Sequence, residues 1–297
     1  MKIFLTGASG YIGRHVRSTF LRAGYQVVAL TRQACPPDAN TKNLEWLQAD
    51  LRDLSRHLEV MKRCDVIVHT AMEYSEDGEV AGADLRACEA FSHTTLPIIY
   101  TGNLFSSLSG TDGTIAEAAL FNGPERLSDV DAGSRHWRNQ VERVLLRLPN
   151  RVAIIRLGFV YGGIGSHLCD ILPRSNSGAY VYYEGSQHEW PMVHIADVCA
   201  LYLEALTADA NGIFHAAQPG TLISDVVQAA ARHAGRSAEA RNAGDPDLRD
   251  DASAFLERSV TAHNSRARAI GWQPRIQFPD FLDSSPDVDF SERRRHA

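Results

Sequence analysis

The sequence predicts an α/β fold: a parallel, doubly wound sheet with a smaller C-terminal substrate-binding lobe. Three observations predict it. A short apolar strand runs directly into a glycine-rich turn near the amino terminus, further short apolar runs alternate with helical segments up to residue 162, and 297 residues leave room for a smaller lobe beyond the sheet. Alternating strand and helix requires right-handed crossovers and places helices on both faces of the sheet.

The elements follow in order. Lys2 to Leu5 is the first apolar run, and TGASGYIG occupies Thr6 to Gly13. A strand feeding a glycine-rich turn that opens a helix is a dinucleotide-binding unit. Gly7 allows the tight turn, Gly10 lets the backbone approach a pyrophosphate, and Gly13 lets the new helix pack on the strand. Ser9, Tyr11 and Ile12 complete the loop whose N–H groups meet the phosphate charge. Val16, Phe20 and Leu21 recur at helical spacing, Gly24 stops the helix, and Gln26 to Leu30 is the next strand. Further strands are expected near 44–49, 66–70, 97–101 and 152–156. Residues 1–162 form mainly the dinucleotide-binding domain. Residues 163–282 form mainly the substrate lobe, with segments interleaved with the sheet, and 283–297 read as a frayed polar tail.

Composition agrees. A chain of 297 residues, 44% hydrophobic, is long enough for one large α/β domain or for a sheet domain with a smaller lobe. Its net charge of −6 argues against a nucleic-acid surface, which needs clustered Lys and Arg. No apolar run approaches the roughly 20 residues of a membrane span, and no leader precedes Lys2, so a cytoplasmic protein is expected. Cys35, Cys64, Cys88, Cys169 and Cys199 are widely spaced without a CxxC pair, which reads as buried or incidental thiols rather than metal ligands. Oligomeric state is not legible.

Several blocks extend the pattern: QADLRD at Gln48 to Asp53, DVIVHTA at Asp65 to Ala71, LPIIYTG at Leu96 to Gly102, RLGFVYG at Arg156 to Gly162, MVHIADV at Met192 to Val198, and IGWQP at Ile270 to Pro274. With GxxGxxG at Gly7 to Gly13, these resemble the extended and atypical short-chain dehydrogenases/reductases across nearly the whole chain. The resemblance implies a Rossmann-type fold and a nicotinamide cofactor. It implies cofactor contacts at Asp50 and Leu51, at Thr70, Ala71 and Met72, and at Thr101, Arg138, Leu157 and Phe159. The second strand ends Leu30, Thr31, Arg32 without the carboxylate that bonds a ribose 2′-hydroxyl, so Arg32 points to the 2′-phosphate of NADPH. Arg14 offers a second positive charge near the phosphates. Either arginine can instead be a solvated surface residue.

The same resemblance exposes a gap. The family's catalytic YxxxK should stand within SRHWRNQVE at Ser134 to Glu142, which contains neither residue. Aligned on Glu142, Ser134 takes the Tyr position and Arg138 the Lys position, four apart and so on one helix face. The serine position becomes Gly102 or Asn103. Thr101 is the hydroxyl left at that strand end, Arg138 can bond the ribose or an oxyanion or else pair with Glu142 on the helix surface, and His136 is expected to point outward. His194 reads as a structural hydrogen-bonding residue. Met72, Tyr74, Asn103, Tyr161, His188 and Met192 are the residues expected to reach substrate. Met72, Tyr74, Thr101, Asn103, Ser134, Arg138 and Phe159 should surround one crevice at the carboxyl ends of the strands.

A positioned general acid contributes on the order of 10² to 10⁴ in rate, so its loss demands an easy substrate. A ketone hydrogen-bonded to its own neighbouring phenol fits, because the substrate can supply the proton. The chain's length and triad loss resemble the ketoreductases of angucyclinone, that is aromatic polyketide, antibiotic biosynthesis. This implies NADPH-dependent reduction of an aromatic ketone. A non-catalytic NADP(H)-binding sensor remains a second reading, and an epimerase or dehydratase a third.

Overall fold

The computed structural model describes residues 1–34, 41–75, 78–107, 112–115, 124–134, 136–166, 168–242, 245, 256 and 259–279. Cys35 and the tail 283–297 lie outside them. Seven strands form one sheet: β1 (Lys2–Thr6), β2 (Gln26–Thr31), β3 (Leu44–Gln48), β4 (Val66–His69), β5 (Ile98–Asn103), β6 (Val152–Leu157) and β7 (Gly212–Ala216). Their spatial order is β7-β6-β5-β4-β1-β2-β3, and each pairing is parallel. The chain therefore winds outward from β1 in both directions, which makes the β1–β4 junction a topological switch point. This is the Rossmann-type sheet expected from the strand–glycine–helix opening.

The strands are continuous apolar runs because both faces are covered. Ile3, Leu5, Val27, Ala29 and Val68 face the helices α1 (Tyr11–Arg22) and α4 (Ile195–Thr207). Phe4, Val28, Ile67 and Ile154 face α2 (Ala81–Ser92) and α3 (Trp137–Leu145). Helix α1 buries Val16 and Phe20 completely, each stabilising by roughly 1.5–3 kcal/mol. It ends where Gly24 adopts φ +86°, the left-handed conformation that closes helices without a Cβ penalty.

Strand β7 lies within residues 163–282, yet Gly212–Ala216 extends the sheet in register with Ala153–Leu157. Five residues of apolar sequence do not reveal which edge they join. The decision is made by α4, which forms the crossover and packs on α1.

The lobe has its own core of Tyr161, Leu168, Trp190, Met192, Val226 and Val227, the last two on α5 (Ile223–His233). It is anchored by Asp197, whose carboxylate accepts from the backbone N–H groups of Arg275 at 2.9 Å and Ile276 at 3.0 Å, while its carbonyl accepts from Trp272 Nε1 at 2.7 Å. The MVHIADV and IGWQP blocks thus meet through one buried aspartate. Among the described residues no helix is long and apolar enough to cross a membrane. Among them, too, no cluster of His, Cys, Asp and Glu could hold a metal ion. Cys64, Cys88, Cys169 and Cys199 are buried.

Candidate active-site cleft

A cleft of about 580 Å³ opens along the carboxyl ends of β1, β2, β4 and β5. Of the residues singled out in the sequence it is lined by Gly7, Ser9, Gly10, Tyr11 and Ile12 from the glycine loop, and by Arg32, Asp50 and Leu51 at one end. Thr70, Ala71, Met72 and Tyr74 follow β4, with Thr101, Asn103, Arg138, Leu157 and Phe159 at the other end.

The loop has the form of an anion cradle. Gly7 has φ +70°, and a Cβ at Gly13 would stand 2.1 Å from the Gly7 carbonyl oxygen, so neither position tolerates a side chain. Gly13 lies against the strand loop rather than in the cleft. Helix α1 starts at Gly10 with no side-chain cap and no acidic residue in its first turn. Its first N–H groups and dipole are therefore directed at the cleft. These features fit a dinucleotide's pyrophosphate. Arg14 does not reach into the space: its guanidinium donates to the carbonyls of Ser9 at 3.1 Å and Gly10 at 3.2 Å, bracing the loop from behind. Arg17 does the same for Ala8 at 3.0 Å.

At the β2 end, Arg32 is exposed on the cleft wall. Asp50 accepts from Arg52 N at 2.9 Å, which starts the 51–57 turn. Arg52, missed in the sequence although it stands inside QADLRD, lines the cleft and forms an ion pair with Glu73 across it.

The other end departs most from expectation. Helix α3 begins only at Trp137, so Ser134 lies in the preceding turn and not on the Arg138 face. The Ser134 hydroxyl accepts from His136 N at 3.1 Å and its carbonyl from Trp137 N at 3.0 Å. A serine before a helix satisfies orphan N–H groups, and Ser134 does not line the cleft. His136 is not outward: its Nδ1–H donates to the Ser106 carbonyl at 2.9 Å. Arg138 is 5% exposed and lines the cleft, whereas Glu142 is fully buried and bonded to Arg156 at 2.7 and 2.9 Å. A surface Arg138–Glu142 pair is thereby replaced by a buried Glu142–Arg156 pair. A Cβ at Gly102 would lie 2.3 Å from Glu142 Oε1, so that position has no room for a serine. Asn103 lines the cleft, its side-chain oxygen accepting from Phe105 N at 2.9 Å.

Thr101 has its hydroxyl 2.6 Å from the His69 carbonyl and 2.5 Å from the Tyr202 hydroxyl. Its single proton satisfies both contacts only if Thr101 donates to His69 and Tyr202 donates to Thr101. Thr101 thus has no proton free for a substrate carbonyl.

Three expected substrate residues lie elsewhere. Tyr161 is fully buried in the lobe core, its ring edge-on to His194 and Phe278. Met192 is 1% exposed in the same core, because its short strand pairs with Phe159–Tyr161. His188 donates Nδ1–H to the Leu256 carbonyl at 3.0 Å. In their place stand Phe105, Leu168 and Trp190, which sequence reading missed. Phe159 stacks on Trp190 at 4.5 Å and meets Phe105 edge-on at 4.9 Å. No spacing signals this, since the three rings come from separate segments. His194 caps α4, accepting from Ala196 N at 3.2 Å, and burial pulls its pKa down to about 4, with nearby His15 acting in the same direction.

Residues 3–98 match the profile of the NAD dependent epimerase/dehydratase family. A Schizosaccharomyces pombe protein, Uncharacterized protein C2A9.02, is 30% identical over 247 residues, covering 76% of this chain and 78% of its own. Among solved structures, dTDP-glucose 4,6-dehydratase DesIV from Streptomyces venezuelae, with NAD and TYD bound, superposes with a TM-score of 0.69 at 17% identity, covering 95% of this chain and 94% of its own. MoeE5 in complex with UDP-glucuronic acid and NAD gives 0.68 at 20% identity, covering 96% and 97%.

Proposed function

The chain belongs to the NAD dependent epimerase/dehydratase family, and from that premise we propose that it is an NADPH-dependent ketoreductase acting on an aromatic, polyketide-type ketone. The observation that carries the substrate class is the pair of half-buried rings Phe105 and Phe159, backed by the fully buried Trp190, at the Arg138 end of the cleft. Offset and edge-on rings accept a further planar ring at little cost. A nucleotide sugar, the ligand of the MoeE5 structures, brings a second diphosphate, which would need its own cations or N–H donors. Arg138 is the one cationic side chain among the described residues lining that end.

When bound, NADPH supplies the hydride. The start of α1 and the Gly7–Gly10 loop hold the pyrophosphate, and Arg32 takes the 2′-phosphate. Arg138, buried and permanently charged, bonds the ribose or the oxygen that gains charge. The aromatic wall keeps water from the reacting carbon. Neither Ser134, outside the cleft, nor Thr101, whose proton rests on the His69 carbonyl, serves as general acid. In this reading the proton comes from the substrate: a phenol beside the carbonyl passes its proton to the developing alkoxide, and the resulting phenolate is reprotonated by water.

Two measurements test the reading. NADPH oxidation is followed with a phenolic ketone and with its O-methyl ether, and methylation should remove most of the rate. Equal rates would exclude the substrate's proton, and oxidation with UDP-sugars alone would overturn the aromatic assignment. Tight NADPH binding without turnover of any ketone would favour a sensor.

A further inference from the structure

We propose that His69, held by Asp84, is a positioning residue for the dinucleotide, tying the phosphate-binding loop to the opposite end of the cleft. The proposal rests on the assignment of NADPH to this cleft. Thr6, His69 and Asp84 are 0%, 1% and 2% exposed and form a continuous array. Thr6 Oγ1 lies 2.7 Å from His69 Nδ1, and His69 Nε2 lies 2.8 Å from Asp84 Oδ1.

The direction of each bond follows from Asp84. Its other oxygen receives the Tyr100 hydroxyl at 3.0 Å and the Cys88 thiol at 3.8 Å. A carboxylate surrounded by donors acts only as an acceptor, so His69 carries its proton on Nε2. In the uncharged ring Nδ1 is then the acceptor for the Thr6 hydroxyl. A second nitrogen fixed by the bond the first one makes is the usual way a protein selects a tautomer. The ring itself cannot swing, being stacked on Tyr100 at 5.5 Å and met edge-on by Phe91 at 5.2 Å.

What the array holds lies at both ends of the cleft. Thr6 immediately precedes Gly7, and its carbonyl accepts from the Thr70 hydroxyl at 2.7 Å. The His69 side chain therefore sets where the glycine loop begins. Through its carbonyl the same residue accepts from Thr101 at 2.6 Å, and Thr101 lines the Arg138 end. One residue thus fixes the floor beneath the pyrophosphate by its ring and the floor of the opposite end by its main chain. The order hydroxyl, imidazole, carboxylate is that of a hydrolase triad, but Thr6 is sealed from the cleft and has no reach to a substrate.

The test combines binding with nitrogen NMR on the cofactor-free and NADP-bound protein. Wild-type His69 should show the neutral Nε2–H tautomer, with a Nδ1 resonance that moves when NADP is added. Thr6→Val should raise the NADPH dissociation constant about tenfold, the scale of one lost hydrogen bond, while Thr6→Ser restores it. A purely structural role would lower the unfolding temperature of Thr6→Val without altering either the dissociation constant or the cofactor-induced shift. A Nδ1–H tautomer in the wild type, or Thr6→Val binding NADPH as the wild type does, overturns the proposal. Should Thr6→Val fail to fold, the wild-type tautomer and its response to NADP still decide. If the wild type binds neither NADPH nor NADH, the cofactor assignment falls and this proposal falls with it; if only the variant comparison fails, the assignment stands.

Discussion

Gly102→Ala puts a single methyl group where the family's catalytic serine region meets the sheet. Its Cβ would sit 2.3 Å from Glu142 Oε1 and 2.9 Å from Arg156 Cγ. Ordinary contact requires the carboxylate to retreat by roughly 1 Å, beyond the range a packed core absorbs without strain. Retreat breaks the 2.7 and 2.9 Å bonds from Arg156, and both partners are fully buried. Separating a buried pair leaves an uncompensated charge and costs about 3–5 kcal/mol. For a chain of this size that corresponds to a fall of about 10 °C in unfolding temperature. Urea denaturation at neutral pH, supported by a thermal melt, measures it. A double-mutant cycle makes the cause specific: in a Glu142→Ala background the obstructing oxygen is gone, so adding Gly102→Ala should cost little more. A loss below about 1 kcal/mol for Gly102→Ala alone, or full additivity with Glu142→Ala, would refute the collision with the buried pair.

Three further outcomes are expected. Arg32→Ala should weaken NADPH binding about 10- to 100-fold, the worth of a charge-assisted hydrogen bond, and leave NADH binding nearly unchanged by fluorescence titration. Ser134→Tyr should leave ketone turnover far short of the roughly 10²-fold gain of a new general acid, because residue 134 precedes α3 and lies outside the cleft. Burial holds the His194 pKa down to about 4, and burial together with the Arg156 charge holds His215 to about 3. The unfolded chain takes up these protons first, so stability present above pH 6.5 is lost as pH falls through 4 toward 3, by up to about 1.4 kcal/mol per unit for each group. His194→Asn keeps a cap for α4 without a titrating ring, and should flatten the fall in urea midpoint between pH 6 and 4.

The strands, the glycine loop and the carboxyl-end cleft were legible because they depend on local rules. Continuous apolar runs mark strands covered on both faces, and Gly7, Gly10 and Gly13 each answer a steric demand within one turn of chain. The family resemblance also marked Ser134 to Glu142 as the stretch where a catalytic tyrosine was expected, and none stands there. What replaced it was beyond sequence spacing. Four-residue spacing put Ser134 and Arg138 on one helix face, but the helix starts at Trp137, since a serine in a turn bonds the following N–H groups as readily as it continues a helix. Glu142 looked like a surface partner for Arg138 until Arg156, from the neighbouring strand, was seen to hold it beneath Gly102. The wall of Phe105, Phe159 and Trp190, the return of Gly212–Ala216 to the sheet edge, and the Thr6–His69–Asp84 array all join residues far apart in the chain. Periodicity reports which face of an element is buried; only the packed fold decides what that face meets.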